Sequence, residues 1–312
     1  MQFRAYAEIV LNRAKLNTVY GTWLEYSIQV EKDFAPLHDI LLNQITEADC
    51  VEVLAAVKRK YSVGRHRKTH IFLNRIFREA IADGELIHNP LVNLKMPKKP
   101  KKLYTCYTAS EAAQIVSGGS DSTTTAIVLL ELFAGLRRGE VLALDWNSVI
   151  ADLSLTEPNG GIVVHQTLVR ADGGYQIFPT TKGRSDRYIP MNKGMYEAIR
   201  LSAALGECRG WLFKRKSDPT SPIGFEEYHR RWRNFVEQLR EDNPDFRYLS
   251  PHKLRHTYAS QMLASGVDIE SLRLMMGHSD IKTTELYLHV DNERLRKCSE
   301  SLSYGTLEQK NR

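Results

Sequence analysis

Apolar residues recur every three to four positions through the first part of the chain, which is the pattern of amphipathic helices. The segments with this pattern are FRAYAEIVLNRAK, TVYGTWLEYSIQV, CVEVLAAVKRKY and HRKTHIFLNRIFREAIADG. Thr46 and Asp49 have the spacing of a capping box ahead of the third segment, and Gly84 suits the end of the fourth. The pattern therefore predicts a helical domain over residues 1–94.

A segment rich in proline and lysine, LKMPKKPKKLY, follows and contains little that could pack in a core. We interpret it as a basic interdomain linker at residues 95–105. The remaining residues, 106–312, open with a second capping-box spacing from Thr108 to Glu111, ahead of the apolar run TAIVLLELFAG. The segments IVVHQTLVR, YQIF and RYIPM suggest short antiparallel strands, and helical spacing returns after them. The sequence thus predicts a mainly α protein with a small antiparallel β-sheet in its second domain.

Composition and charge narrow the class of protein. The 312 residues include 43 Lys and Arg against 37 Asp and Glu, and the net charge of +6 fits a nucleic-acid binder without establishing one. The four cysteines lie far apart with no C-x-x-C pair, which argues against a structural zinc site or a disulfide framework. No apolar run has the length of a membrane span, and the first residues lack a signal-peptide pattern. We therefore expect a cytoplasmic protein with no membrane partner.

The octapeptide PHKLRHTY places His252, Arg255 and His256 on one helix face, directly after a proline that suits a helix start. Such a face could hold a metal, bind an anion, or simply be solvated. A zinc site is disfavoured because the glutamate of H-E-x-x-H is absent and the arginine would repel a metal cation. We expect neither a metal nor another cofactor. The choice between an anion site and a solvated face depends on further cations.

Three other segments carry residues that could complete an anion site. GLRRGE holds Arg137 and Glu140, TTKGRSDRYIP holds Lys182, and GHSDIKTTELY holds His278 and Tyr287. Arginine at a helix start opposes the helix dipole unless an anion is bound there. Each residue alone also has an ordinary interpretation, namely a solvated Arg–Glu pair, a solvated turn lysine, or a tyrosine in a core.

The ordered combination of GLRRGE, TKGRSDRYIP, HKLRH and GHSDIKTTELY resembles the catalytic domain of tyrosine recombinases of the phage integrase type. The resemblance spans about residues 105–290, and the helical segment before it is similar to the family's core-binding domain. Residues 1–94 would then be a DNA-binding core-binding domain, and residues 106–312 a catalytic domain with a C-terminal tail. Arg138 departs from the pattern, because the family often has a small or apolar residue there. The resemblance gives Glu140 a supporting role, and we expect His256, on the same helix face as His252 and Arg255, to be a second supporting residue. The resemblance implies six catalytic residues: Arg137, Lys182, His252, Arg255, His278 and the nucleophile Tyr287.

The implied reaction is breakage and rejoining of DNA strands by transesterification. Tyr287 would attack a phosphodiester to form a 3′-phosphotyrosyl bond, while Lys182 protonates the departing 5′ oxygen. The two arginines would bind the non-bridging oxygens and stay charged at any working pH. The resemblance further implies a homotetramer on double-stranded DNA, with accessory directionality or bending proteins as candidate partners.

Two basic runs, KRKYSVGRHRKTH and KKPKK, are candidate DNA-contacting segments, although a charge run is often only a solvated face. We expect the amphipathic stretch NERLRKCSESL after Tyr287 to dock on a neighbouring subunit or on its own domain. The candidate DNA-binding residues of the two runs are Lys58, Arg59, Lys60, Arg65, Arg67, Lys68, Lys98, Lys99, Lys101 and Lys102.

The reaction we expect is integration or excision of a phage or mobile element. A resolvase or invertase would use the same chemistry. A type IB topoisomerase uses similar chemistry as well, but it does not exchange strands between two duplexes, so observing such exchange would exclude it. A non-catalytic DNA-binding regulator with a degraded recombinase fold is the alternative from another class. The complete set of catalytic positions argues against that regulator.

Overall fold

The computed structural model describes residues 1–98, 105–179 and 186–278. The chain divides into two compact units, of which the first contains Met1–Leu103 and Arg170–Gly174 and the second contains Tyr104–Val169 and Tyr175–Arg312. This boundary falls within the basic segment that the sequence suggests as a linker. In the described ranges, no helix combines the length and the apolar content needed to cross a membrane.

The described part of the first unit is helical, as the apolar spacing predicts. The capping box is confirmed, because the Thr46 hydroxyl accepts from the Asp49 backbone N–H while the Asp49 carboxylate accepts from the Thr46 backbone N–H at 2.8 Å. Gly84 follows the fourth helix with a left-handed φ of +79°. The helices are α1 (Phe3–Asn17), α2 (Tyr20–Ile28), α3 (Glu47–Lys60) and α4 (Val63–Ala82).

The second unit contains seven α-helices among its described residues. The helix Ser122–Ala134 is apolar on nearly every side and packs against the helices Lys193–Ala204 and His252–Ala264, so it forms the centre of the core. The capping box from Thr108 to Glu111 opens the first, as predicted. The helices are α5 (Ala109–Ser117), α6 (Ser122–Ala134), α7 (Arg138–Leu142), α8 (Lys193–Ala204), α9 (Phe225–Asp242), α10 (His252–Ala264) and α11 (Ile269–Met276).

The described short strands have most of their residues in the second unit. They are β1 (Val149–Ile150), β2 (Gly161–Val164), β3 (Gln166–Ala171), β4 (Gly174–Pro179), β5 (Arg187–Pro190), β6 (Lys214–Arg215) and β7 (Asp218–Pro222). An antiparallel sheet has the order β1–β2–β5, while β3 pairs with β4 and β6 with β7. The predicted small sheet is therefore present, and the described residues add β1 and the β6–β7 pair, which the sequence pattern did not predict.

Gly135 connects the central helix to the arginine-bearing segment. It follows α6 with a left-handed φ of +61°, and a Cβ at this position would lie 2.3 Å from Cδ1 of Tyr258 in α10. Only glycine fits such a conformation at this distance without a shift of the ring. The close approach of α10 brings the chain that leads into α7, with Arg137 at its start, next to the helix that carries HKLRH.

Candidate active site

The buried carboxylate of Glu140 binds arginines from different parts of the second unit. Arg137 Nη1 donates to Oε1 at 2.7 Å, and both Nη atoms of Arg187 donate to the carboxylate oxygens at 3.0 and 2.6 Å. Arg255 Nη1 lies 3.9 Å from Oε2. Burial alone would raise the pKa of the carboxyl, but the hydrogen bonds and charge of Arg187, followed by the charges of Arg137 and Arg255, lower it to about 2. Glu140 is therefore ionised at neutral pH, and we call these four side chains the Glu140 cluster.

The guanidinium of Arg137 is held by two hydrogen bonds and is partly exposed to solvent. Besides its bond to Glu140, its Nη2 donates to the carbonyl oxygen of Gly277 at 2.8 Å, and 29% of the side chain is exposed. A guanidinium has five N–H donors, so three of them have no partner among the described residues. Those donors can form a bidentate contact with the non-bridging oxygens of a phosphate.

Arg255 is buried and holds the C-terminal end of α11. It donates to the carbonyl oxygen of Gly135, to that of Met276 at 2.6 Å, and to His278 Nε2 at 2.9 Å. Because a guanidinium only donates, Nε2 accepts and the ring proton of His278 lies on Nδ1. Burial, followed by the positive charges of Arg255 and Arg137, lowers the pKa of His278 to about 3. His278 is therefore a neutral imidazole at neutral pH.

His252 and His256 lie side by side on α10, with ring centroids 4.8 Å apart. The helix begins at His252, directly after Pro251, as the sequence predicts. Removal from water, followed by the charges of Arg255 and Lys253, lowers the pKa of the His252 ring. Burial lowers the pKa of His256 to about 3, and the nearby His252 adds to this effect. His252 is partly surrounded by protein but keeps an exposed surface that can reach a ligand, whereas His256 is more enclosed.

The second unit brings together the predicted catalytic and supporting residues that the structure describes. Lys182, Tyr287 and the amphipathic tail lie outside the described residues, as do Lys99, Lys101 and Lys102. In the ranges 1–98, 105–179 and 186–278, no group of three or more His, Cys, Asp or Glu side chains is placed to hold a metal ion. The residues brought together are Arg137, Glu140, His252, Arg255, His256 and His278.

Arg187 is a member of the cluster that the sequence analysis missed. It is the first residue of β5 and is 12% exposed. A signal for it was present in the strand RYIP, because Arg187 shares a face with Ile189, which is fully buried. An arginine on the inward face of a strand needs buried hydrogen-bond acceptors, and an acidic partner also balances its charge. That partner, Glu140, is 47 residues away in the sequence.

Arg138 is directed to a different place from its neighbour Arg137. Its guanidinium lies 4.1 Å from the ring centroid of Phe225 and contacts His229 Nε2, both in α9. This stacking with an aromatic ring is a favourable arrangement for arginine. Arg137, which is bonded to Glu140, and not Arg138 therefore belongs to the Glu140 cluster.

The basic run at the end of α3 is exposed. Lys58, Arg59 and Lys60 occupy its last turn, and none has an acidic partner within the described part of the chain. Positive charge in the last turn also complements the helix dipole. These three side chains are available for a polyanion. Lys98, at the edge of the second run, is exposed as well.

The second half of the same run is engaged inside its own unit. Arg65 donates to Asp33 at 2.7 Å and to Glu25 at 3.3 Å, and Lys68 Nζ lies 2.8 Å from a Glu25 oxygen. Arg67 donates to the carbonyl oxygen of Pro97. The buried Asp33 in particular fixes the position of Arg65. These residues already have partners that the sequence pattern did not indicate.

A second buried carboxyl, that of Glu131 in α6, is bonded to no arginine of the described residues. Tyr228 donates its hydroxyl to Oε2 at 2.6 Å, while Oε1 has no hydrogen-bond partner within the described ranges. Burial raises the pKa of Glu131 to about 8, although the Tyr228 hydrogen bond opposes the shift. The side chain is therefore mostly protonated at neutral pH.

Glu131→Gln is expected to remove a pH dependence of stability. The folded pKa lies above the unfolded value of 4.5, so the stabilisation is fully present below pH 4.5 and is lost as pH rises through about 8. The loss in wild type is at most about 1.4 kcal/mol per pH unit. The amide keeps the acceptor for Tyr228 and does not ionise, so urea unfolding at mildly acid and mildly alkaline pH should give a smaller difference in the variant. An equal difference in both proteins would contradict the shift.

Comparisons with known proteins agree with the geometry. The family model described as "Phage integrase family" matches residues 106–294. The tyrosine recombinase XerD of Halalkalibacterium halodurans is 28% identical over 247 residues, covering 75% of this chain and 71% of that protein. The tyrosine recombinase XerC of Xanthomonas campestris pv. campestris is 26% identical over 277 residues, covering 87% and 76%.

Solved structures show the same fold. The Tn1549 transposon integrase in complex with a circular intermediate DNA has a TM-score of 0.80 at 20% identity, covering 97% of this chain and 100% of that one. A lambda integrase dimer bound to a COC′ core site has a TM-score of 0.71 at 17% identity, covering 91% and 97%. The family match spans more than half of the chain, so this protein belongs to the phage integrase family. It is a tyrosine recombinase, an enzyme that breaks and rejoins DNA strands, and its fold is the two-domain integrase fold.

Proposed function

We propose that the second unit cleaves DNA with Tyr287 as the nucleophile, Lys182 as the general acid, and Arg137, Arg255, His252 and His278 around the phosphate. The phenol of Tyr287 gives its proton to a neutral imidazole of the site as its oxygen attacks the phosphorus, and the bond from phosphorus to the 5′ oxygen breaks. Lys182 transfers a proton to that oxygen, which leaves as a 5′ hydroxyl. The 5′ hydroxyl of another strand then attacks the 3′-phosphotyrosyl bond and releases Tyr287, so no ATP is consumed.

The observation that carries this proposal is the Glu140 cluster. Its three arginines outnumber its one carboxylate, which leaves net positive charge where three donors of Arg137 remain open. Charge that is fixed before the substrate arrives stabilises the developing negative charge on the non-bridging oxygens without reorganisation. Cations held in this way can supply the stabilisation that a metal ion supplies in other phosphoryl-transfer enzymes.

We further propose that the substrate is double-stranded DNA at a specific site, and that the protein acts in integration or excision of a phage or mobile element. The shared fold with the Tn1549 transposon integrase, whose structure holds a circular intermediate DNA, is the reason for naming this process. Exchange between two duplexes requires four strand cleavages, and one nucleophile per chain implies a homotetramer. Accessory proteins that set direction or bend the DNA are partners of this proposed assembly.

Trapping the covalent complex on fragmented genomic DNA tests the proposal. In buffer with EDTA, denaturation should leave protein joined to DNA, and sequencing the attached ends should return one recurrent site. Exchange between two labelled duplexes that carry this site identifies a recombinase, whereas relaxation of supercoils without exchange identifies a type IB topoisomerase. A protein that binds DNA but gives no adduct would be a non-catalytic regulator.

DNA affinity should depend on the end of α3 more than on α4. Lys58→Gln/Arg59→Gln is expected to weaken binding to a random-sequence duplex and to reduce the slope of log affinity against log salt by about 0.9 for each phosphate that is no longer neutralised. The matched control Lys68→Gln should change the slope little, because Lys68 is already paired with Glu25. Fluorescence anisotropy across a salt series makes the comparison. Equal slopes in the double variant and wild type would contradict DNA binding at this site.

A further inference from the structure

Arg187, at the start of β5, makes hydrogen bonds to two separate segments of the site. Three of its nitrogens are used inside the second unit, because both Nη atoms donate to Glu140 and Nε donates to the carbonyl oxygen of Met275 at 3.0 Å. The planar fork of a guanidinium matches a carboxylate in this two-bond arrangement, which a lysine cannot reproduce. Arg187 therefore connects α7, which carries Glu140, with the end of α11.

The turn after α11 closes directly over Arg187. Gly277 ends that helix with a left-handed φ of +62°, and a Cβ there would lie 2.9 Å from Arg187 Nη1 and 3.2 Å from its Cδ. The carbonyl oxygen of the same glycine accepts from Arg137, and the next residue is His278. Through the turn at Gly277, the position of Arg187 therefore influences the positions of both Arg137 and His278.

Charge in the Glu140 cluster also depends on Arg187. With Arg187 present, three guanidinium groups surround one carboxylate. Without Arg187, the buried carboxylate of Glu140 would keep Arg137 as its bonded arginine. Its negative charge would then offset more of the positive charge that Arg137 presents to the phosphate. Because Arg187 contributes the largest effect that lowers the pKa of Glu140, its removal should also raise that pKa.

We propose that Arg187 is a positioning residue of the recombination reaction. It balances the negative charge of the ionised Glu140, so that the positive charge of Arg137 remains available to the phosphate and its guanidinium stays oriented towards it. It acts through Glu140 and through the turn at Gly277, without touching the DNA. The proposal rests on the function proposed above for Arg137. This role differs from a purely structural one in a testable way. If Arg187 acts by balancing charge, removing the charge of Glu140 as well should restore part of the rate of adduct formation that is lost with Arg187.

A charge-balance cycle tests this proposal on a duplex that carries the site recovered by covalent trapping. Arg187→Met should slow single-turnover adduct formation by about 10²-fold, the scale of losing one stabilising donor. It should leave DNA affinity within about twofold, because phosphate contacts made elsewhere supply most of the affinity. Arg187→Met/Glu140→Gln should recover about tenfold over Arg187→Met, which is the coupling expected of groups in one network. Arg187→Lys should give an intermediate rate.

A second measurement needs no DNA. Carbon-13 labelling of glutamate side chains should show Glu140 ionised in wild type throughout the range where ordinary glutamates titrate, near ~4.3. In Arg187→Met, the same carboxyl should titrate at higher pH. If wild type forms no adduct, the proposed function has failed. If wild type reacts and Arg187→Met keeps its rate, or Arg187→Met/Glu140→Gln is no faster than Arg187→Met, this inference is wrong.

Discussion

Tyr287→Phe is expected to bind duplex DNA as tightly as wild type and to form no covalent protein–DNA complex. The substitution removes only the phenol oxygen, so it removes the attacking atom while leaving a ring of the same shape. Since the nucleophile is the one group that cannot be replaced by water in a reaction that conserves the phosphodiester bond, the loss should be complete. Denaturing electrophoresis of protein incubated with labelled DNA measures the adduct, and a gel shift measures binding.

Tyr258 provides a matched control for this substitution. It belongs to the octapeptide PHKLRHTY and is an alternative nucleophile among the described residues, but it is buried against Gly135 and burial raises its pKa to about 12. Tyr258→Phe should therefore keep the adduct. An adduct that persists in Tyr287→Phe and disappears in Tyr258→Phe would reverse the assignment.

Lys182→Ala is expected to cleave ordinary DNA about 10²–10⁴-fold more slowly, the usual contribution of general-acid catalysis. The 5′ oxygen would otherwise leave as a strongly basic alkoxide. A substrate with sulfur at this bridging position leaves as a far less basic thiolate and needs little help from an acid. Lys182→Ala should therefore regain much of the lost rate on the sulfur-bridged substrate, as measured by single-turnover cleavage.

Arg137→Ala is the control that separates the two kinds of catalysis. Its partner is the charge on the non-bridging oxygens, which the bridging sulfur leaves in place, so its rate should not recover. Recovery of both variants to the same extent would show that Lys182 is not the acid, and so would a Lys182→Ala enzyme that is not rescued. A lysine that is only solvated would give near-normal cleavage of either substrate.

Local features of the site could be predicted from the sequence because short spacings fix their geometry. Arg137 and Glu140 are three residues apart at a helix start, and the structure joins them by a 2.7 Å ion pair. His252 and Arg255 lie on one face of α10 because helical spacing places them there. The capping boxes of α3 and α5 were predictable for the same reason.

Contacts between distant segments could not be predicted in this way. Nothing in the sequence around Arg187 identifies Glu140 as its partner, and the strand pattern shows only that the arginine faces inward. The partners of the basic run at the end of α3 and the start of α4 could not be predicted either, because its charged residues look alike in the sequence. The structure distinguishes the paired Arg65, which is bound to Asp33, from the exposed Arg59. Such pairings depend on the tertiary fold, which spacing along the chain does not specify.

Mass spectrometry of the trapped complex tests the central claim most directly. After nuclease and protease digestion, the nucleotide that remains on the protein should be attached to Tyr287, in the peptide containing GHSDIKTTELY, and the bond should be a tyrosine ester of a 3′ phosphate. A nucleotide on Tyr258, on Tyr304 or on a serine, or a 5′ phosphate linkage, would contradict the assignment of this site as a tyrosine recombinase centre with Tyr287 as its nucleophile.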